Sequence, residues 1–368
     1  MKYNSGQMHI KKILIIAQRS NGDVLLCSSL INALKKNYNA EIDLLVNDDT
    51  LQIAKILDNV NSIITFSYKS KELNRLNQEI EIARKIYKKY DLSISITSSD
   101  RSIIYCWLAS KLSIGAIDNS RYKSWWKKII LSKSYLWDSN EHILLNNFKP
   151  LEKLKIPYFG TFDTPQINVN LRKKIQSLLD ENGIKQFVIF HPSAQYWYKV
   201  YPENLRVKLL KLLSTLKIDI IVTGGNTSID MKIKKSIPKR DNIFNFIGKT
   251  SLEDFFALSY LSMAYIGMDT MNMHIAASQN KKIFAIFGPT NLKMWSPWSN
   301  KINSSARTNK ALQTYGDNTI FQGSLACVAC GKAGCDDLGI RSICFESIDP
   351  FDIFETIKTQ LVDDKSIC

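Results

Sequence analysis

Short apolar runs alternate with longer amphipathic stretches along almost the whole chain. The run "KKILIIAQ" reads as a buried strand. "DVLLCSSLINALKKNY" follows it, with Val24, Leu25, Leu30, Ile31 and Leu34 at helical spacing and lysines near its end. "EIDLLV" and "SIITF" are the next strands, and a long polar helix over 72–89 leads into "YDLSISI". Buried strands that alternate with helices predict a parallel, doubly wound sheet. The pattern breaks in "KPLEKLKIPYFGTFDTP", whose three prolines and one glycine suit an inter-domain connection. A second alternating series then runs through "QFVIFH", a helix over 203–216, "IDIIVTGG", a helix from Ser228, "NIFNFIG", "SLEDFFALSYL", "MAYIG", "HIAASQ" and "KIFAIFG". "DPFDIFETIKTQLV" is the last amphipathic piece. The expected architecture is α/β: two Rossmann-like, doubly wound parallel-sheet domains facing a cleft. Their expected bounds are 1–160 and 161–347, with a C-terminal helix and tail over 348–368. Ligands of such sheets bind at the carboxyl ends of the strands.

Composition adds a constraint. The 368 residues are 45% apolar, ample for two packed cores. No apolar run approaches the roughly 18 residues that cross a bilayer. The N-terminal "ILIIA" is broken by Arg19 and Asp23, which does not read as a signal peptide, so a cytoplasmic protein is expected. The formal net charge is +15, and residues 1–160 hold 24 Lys and Arg against 15 Asp and Glu. Such an excess favours anionic partners: nucleic acid, acidic lipid or phosphorylated glycan. A Lys- and Asn-rich coding composition produces the same excess.

The candidate chemistry clusters where strands end. In "MAYIGMDTMNMHIAASQNKKIFAIFGPT", Asp269, Thr270 and His274 stand at the mouth of a helix. Helix N-termini present unpaired N–H groups and partial positive charge, which suit phosphate. Thr270 adds a donor there, and Asp269 suits sugar hydroxyls beside a phosphate. Asp269 as an N-cap and His274 as a core histidine explain the same residues without a ligand. After the first strand, "RSNGDVLL" places Gly22 in a tight turn and Asp23 at a helix start. Local N–H groups there would keep Asp23 ionised and oriented, as a general base requires, and an N-cap again is the simpler account. "HPSAQYWYKVYP" brings Ser193 and Lys199 to a third strand end. Thr223, Gly224 and Gly225 in "TGGN" and Gly248 in "IGKTSLEDF" mark two more, where glycine lets backbone approach a ligand. One half thus holds amides, hydroxyls and a lysine suited to a diphosphate; the other holds a lone carboxylate.

These motifs together resemble the bacterial heptosyltransferases of glycosyltransferase family 9. The likeness rests on "GDVLL" at 22–26, "KVYP" with Tyr201 in place of Trp, "GKTSL" at 248–252, "DTMNMHIAA", "FGPT" with Gly288, and "MWSPW". It spans about residues 11 to 298 in the family's order. The run from "GDVLL" to "NDDT" is most similar to enzymes adding the branching heptose of the lipopolysaccharide inner core. Met271 stands where the family commonly has glycine, and Met268 replaces a polar residue. The resemblance implies a GT-B scaffold and inverting transfer from ADP-heptose to the core of lipopolysaccharide, with no cofactor or catalytic metal. Asp23 would deprotonate the acceptor. Lys199, Ser193 and the amides near Thr270 would stabilise the diphosphate, Asp269 would hold heptose hydroxyls, and Gly248 would line the adenine site. Thr223, Gly224, Gly225, His274 and Gly288 complete the expected donor site.

Two motifs stand outside that scheme. "CVACGKAGCDDLGIRSIC" carries Cys327, Cys330, Cys335 and Cys344, the thiol spacing of a structural zinc or iron site. Related transferases often carry cysteines here, so the spacing also fits inherited free thiols. Cys27, Cys106 and Cys368 are scattered, and His9 and His142 receive no role. "RYKSWWKKIILSK" mixes aromatic and basic residues; it suits either an anionic membrane surface or a core-facing helix with solvated lysines. A peripheral protein at the inner face of the inner membrane is therefore expected. Transfer to a protein acceptor, a sugar-nucleotide epimerase, an inactive paralogue and a nucleic-acid-binding protein are the competing readings. No specific nucleic-acid module is recognisable.

Overall fold

A computed structural model describes residues 9–335 and 338–362, excepting the side chains of 70–75 and 121. Cys368 lies outside the described residues. The chain divides into two compact units, Met1–Gln166 and Ile167–Cys368. The division falls a few residues past the expected boundary, and the C-terminal helix belongs to the second unit.

The first unit contains β1 (Lys12–Ala17), α1 (Asn21–Leu25), α2 (Ser28–Tyr38), β2 (Glu41–Asn47), α3 (Leu51–Ile56), β3 (Ser62–Phe66), α4 (Tyr68–Ile86), β4 (Leu92–Ser95), α5 (Asp100–Ala109), β5 (Leu112–Ile117), α6 (Arg121–Ile130), β6 (Lys133–Leu136) and α7 (Ile143–Leu154). Its strands form one sheet in the order β3-β2-β1-β4-β5-β6, and every pairing is parallel. β1 is buried at every position after Lys12, as a strand covered on both faces must be. On one face Leu14 and Ile16 pack with Ile82 and Ile86 of α4, Ile103 and Cys106 of α5, and Trp126 and Ile130 of α6. The expected single helix after β1 is two, α1 and α2. Leu26 and Cys27 turn the chain between them, and this leaves α1 as a short turn presenting Asp23.

The second unit contains α8 (Val169–Glu181), β7 (Phe187–His191), α9 (Glu203–Leu213), β8 (Asp219–Val222), α10 (Ser228–Lys235), β9 (Ile243–Asn245), α11 (Leu252–Leu261), β10 (Ala264–Met268), α12 (Met271–Ser278), β11 (Lys282–Phe287), α13 (Leu292–Trp295), β12 (Leu312–Tyr315), β13 (Asn318–Gln322) and α14 (Pro350–Leu361). The sheet order is β12-β13-β11-β10-β7-β8-β9. Only the edge pair β12–β13 is antiparallel among the described strands. Phe190, Val222 and Ile266 pack with Leu209 and Leu210 of α9, Ile229 and Ile233 of α10, and Ile353 and Ile357 of α14. Burying α14 in this core explains why residues 350–361 are an integral part of the unit rather than an appendage.

In both sheets the first strand of the unit lies inside, with successive strands added on either side. β1 stands between β2 and β4, and β7 between β8 and β10. The carboxyl ends at these two reversals are the crevices where doubly wound sheets take ligands.

Candidate active site

In the first unit, the chain leaves β1 at the reversal and turns at once into α1. Ser20 and Asp23 close a capping box across that turn. The Ser20 hydroxyl donates to Asp23 Oδ2 at 2.6 Å, and the Ser20 backbone N–H donates to the same oxygen at 3.2 Å. Arg19 Nε stands 3.1 Å from Asp23 Oδ1. Oδ1 accepts no hydrogen bond among the described residues. The side chain is only 2% exposed. Burial pushes the carboxyl above its ordinary value, and Arg19 and Ser20 pull it only part of the way back. The expectation that local N–H groups dominate Asp23 is corrected: desolvation is the larger influence. The result is a carboxylate fixed through Oδ2 and ion-paired with Arg19 through a buried Oδ1, with more proton affinity than a solvated aspartate.

In the second unit, the residues after β7, β8, β9, β10 and β11 share one edge of the sheet because those strands are parallel and adjacent. Lys199 lies in a 3₁₀ turn after β7, and Asp269 directly follows β10. The reversal makes β7 and β10 neighbours, so residues 70 apart in sequence meet: Lys199 Nζ donates to Asp269 Oδ2 at 3.2 Å. The Asp269 charge raises the Lys199 pKa, against the opposing effect of burial. Thr270, not Asp269, is the N-cap of α12, and its side chain caps nothing. Its hydroxyl lies 3.4 Å from the Tyr265 hydroxyl, which donates to the Met268 carbonyl at 2.9 Å. The first N–H groups of α12 therefore open beside a cation and a carboxylate.

His274 is buried on α12 with its ring edge-on to Trp295. Burial pushes its pKa down to about 4, so the imidazole is neutral. Thr223 is buried, with its hydroxyl 3.0 Å from His191 Nδ1. Gly224 and Gly225 pass over the Asp230 carboxylate, where an added Cβ would come within 2.9 and 3.2 Å of its oxygens. Gly248 has φ of +76°, and a Cβ there would strike the Asn226 side chain; its N–H donates to the Gly224 carbonyl at 3.0 Å. These contacts place the two glycine loops side by side. Gly288 lies against the outer edge of the Phe345 ring, a packing role.

Asp230 carried no assignment in the sequence, yet it organises this edge. Burial opposes its charge, but hydrogen bonds from Ser193, Thr227 and Gly225 prevail and hold its carboxyl below the usual range. Thr227 donates to it through its N–H at 2.9 Å and its hydroxyl at 2.6 Å. A carboxylate only accepts, so the Ser193 hydroxyl proton points to Asp230. Toward a ligand, Ser193 then offers an acceptor oxygen in place of the expected donor. Asn272, whose Nδ2 lies 3.1 Å from His191 Nδ1, was also missed. The T-x-x-D and S-x-x-D capping boxes at 227–230 and 20–23 were legible signals for Asp230 and Ser20. His191 and Asn272 gave none.

The cysteines tell a different story. Cys327, Cys330 and Cys335 are exposed, Cys344 is buried, and all four are free thiols. Burial, with the neighbouring thiols adding to it, pushes the Cys344 thiol up to about 11. No group of three or more His, Cys, Asp or Glu among the described residues is placed to hold a metal ion. The segment is fixed by backbone instead: Gly331 N–H donates to the Pro289 carbonyl and Cys335 N–H to that of Arg341.

A model of glycosyltransferase family 9 (heptosyltransferase) matches residues 80–324. Lipopolysaccharide heptosyltransferase 3 of Escherichia coli (strain K12) is 26% identical over 292 residues, covering 77% of this chain and 84% of the relative. The solved glycosyl transferase family 9 structure from Veillonella parvula DSM 2008 superposes with a TM-score of 0.73 at 16% identity, covering 96% of this chain and 97% of that one. The E. coli ADP-heptose lps heptosyltransferase II structure gives 0.71 at 16% identity, with 96% and 99% covered. Both solved relatives support the GT-B assignment of the two Rossmann-like units. With about two thirds of its length matched by the family model and its motifs at the carboxyl edges of both sheets, the chain belongs to the heptosyltransferases of glycosyltransferase family 9.

Proposed function

We propose that this glycosyltransferase moves heptose from ADP-heptose to the inner core of lipopolysaccharide or lipooligosaccharide, with inversion at the anomeric carbon. The observation that carries the mechanism is the buried Asp23 carboxylate, anchored through Oδ2 and without a hydrogen bond at Oδ1. Asp23 takes the proton of an acceptor hydroxyl. The oxygen forms a bond to the anomeric carbon as the bond to the diphosphate breaks, and ADP leaves with the electron pair. Lys199 and the N–H groups opening α12 meet the developing negative charge. Asp269 accepts hydrogen bonds from heptose hydroxyls, and its hold on Lys199 keeps the ammonium charged and in place before the donor arrives. The backbone of the Gly224–Gly225 and Gly248 loops, supported by Asp230, borders the nucleoside.

On this reading the enzyme works on the cytoplasmic side, at the surface of the inner membrane. The test is transfer from ADP-heptose to truncated core oligosaccharides, read by mass spectrometry. A mass increment of one heptose on the core acceptor supports the reading. An increment only on a serine-rich protein, or none on either acceptor, refutes it.

A further inference from the structure

Helix α6 is apolar on two sides, and only one of them serves the fold. Its inner side is occupied: Trp126 and Ile130 pack on the sheet, and Ser124 is buried. Lys127 is buried too, with Nζ 2.8 Å from Asp100, which ties α6 to the start of α5. The alternative of a core-facing helix with solvated lysines is corrected for that residue. The outer side carries Tyr122, Trp125 and Ile129, which are 93%, 61% and 72% exposed. Their spacing of three and four puts them on one stripe. The neighbouring α5 turns Ile104 and Trp107 outward in the same way. Both helices cover the same face of the first unit's sheet, so the two stripes belong to one surface layer. Single exposed apolar residues are ordinary; five large ones on two packed helices are a patch.

The charge around the patch selects its partner. Lys111, Lys123 and Lys128 are exposed beside it. Between Asp118 and Asp138 the sequence has five basic residues and no acidic one. A second copy of the chain would bring like charges together on this face. An anionic bilayer matches both parts: aromatic and aliphatic side chains enter the headgroup boundary while lysines meet lipid phosphates. No described helix is long and apolar enough to cross a membrane, so attachment is superficial. We infer that the outer faces of α5 and α6 form a docking surface for anionic phospholipid bilayers, with Trp107, Tyr122, Trp125 and Ile129 as insertion residues.

The full chain is to be sedimented with sucrose-loaded vesicles, either containing phosphatidylglycerol or made of phosphatidylcholine alone. Binding is expected to the anionic vesicles, to weaken with salt, and to blue-shift tryptophan emission. Trp125→Ser with Ile129→Ser should weaken it at least about tenfold. Lys123→Gln with Lys128→Gln should weaken it about fivefold per charge. Because these side chains point outward, circular dichroism melts should match the parent. Equal binding to both vesicle types, or no loss in the Trp125/Ile129 variant, overturns the inference. So does a dimer in light scattering that the same substitutions dissolve while lipid binding is absent. The assay uses no sugar donor, so its failure leaves the transferase reading standing, and lost transfer to soluble core oligosaccharide leaves this one standing.

Discussion

Replacing Asp23 with Asn removes a single proton-accepting site while keeping its shape. The Asn carbonyl oxygen can retain both Ser20 hydrogen bonds, because Ser20 Oγ and N–H are donors. The amide then occupies the position of Oδ1, beside Arg19, whose side chain is 29% exposed and lies over the Trp137 ring. The fold should therefore survive. A positioned general base contributes about a hundred- to ten-thousand-fold, equivalent to about 3–5 kcal/mol of barrier. Initial rates of heptose transfer should fall by that factor, with ADP affinity by calorimetry near that of the parent. A second arm uses pH. The parent carboxyl is raised above 3.8 by burial, so its rate should fall as pH drops through that raised value, and the Asn variant should lack this limb. Arg19→Gln removes the cation that lowers Asp23, so its limb should move to higher pH. The stability sign also follows. A raised folded-state value means the native protein loses stability as pH rises from 3.8 through it. The Asn variant should then melt at or above the parent at neutral pH, and the gain should vanish in acid. A variant that keeps rates within about tenfold of the parent, or that loses ADP binding, refutes Asp23 as the base.

Lys199→Met should lower transfer about a hundred- to a thousand-fold, the usual effect of removing one preorganised charge donor, and Asp269→Asn should relax the position of the same ammonium; steady-state kinetics of both variants check this. Gly248→Ala forces alanine to a φ of +76° against Asn226. It should cost about 1–2 kcal/mol and lower the thermal midpoint, with ADP affinity falling as the glycine loops part. Asp230→Ala removes a buried cap and should cost about 1–2 kcal/mol. Because the Asp230 carboxyl is held below 3.8, its stabilisation is present above that pH and disappears as pH falls through the lowered value. Parent and variant melts should therefore converge in acid, and a constant gap would count against the network.

Elements and their class followed from local physics. Strands buried on both faces must be largely apolar, and the buried positions of β1, β10 and β11 show this in the chain itself. The S-x-x-D and T-x-x-D boxes close within four residues, so the turns presenting Asp23 and Asp230 needed no distant partner. Motif residues that follow apolar runs in the sequence lie at the carboxyl ends of strands in both sheets. What the sequence could not contain is which ends become neighbours. Only the strand order brings β7 beside β10, and that adjacency makes Lys199 the partner of Asp269 and closes Asn272 on His191. Burial is equally non-local. Aspartate at position 23 looks like any helix cap until the packed core removes water from around it, and desolvation then sets its proton affinity. Spacing along a chain fixes what each residue can offer, whereas packing fixes what surrounds it, and reactivity depends on the surroundings.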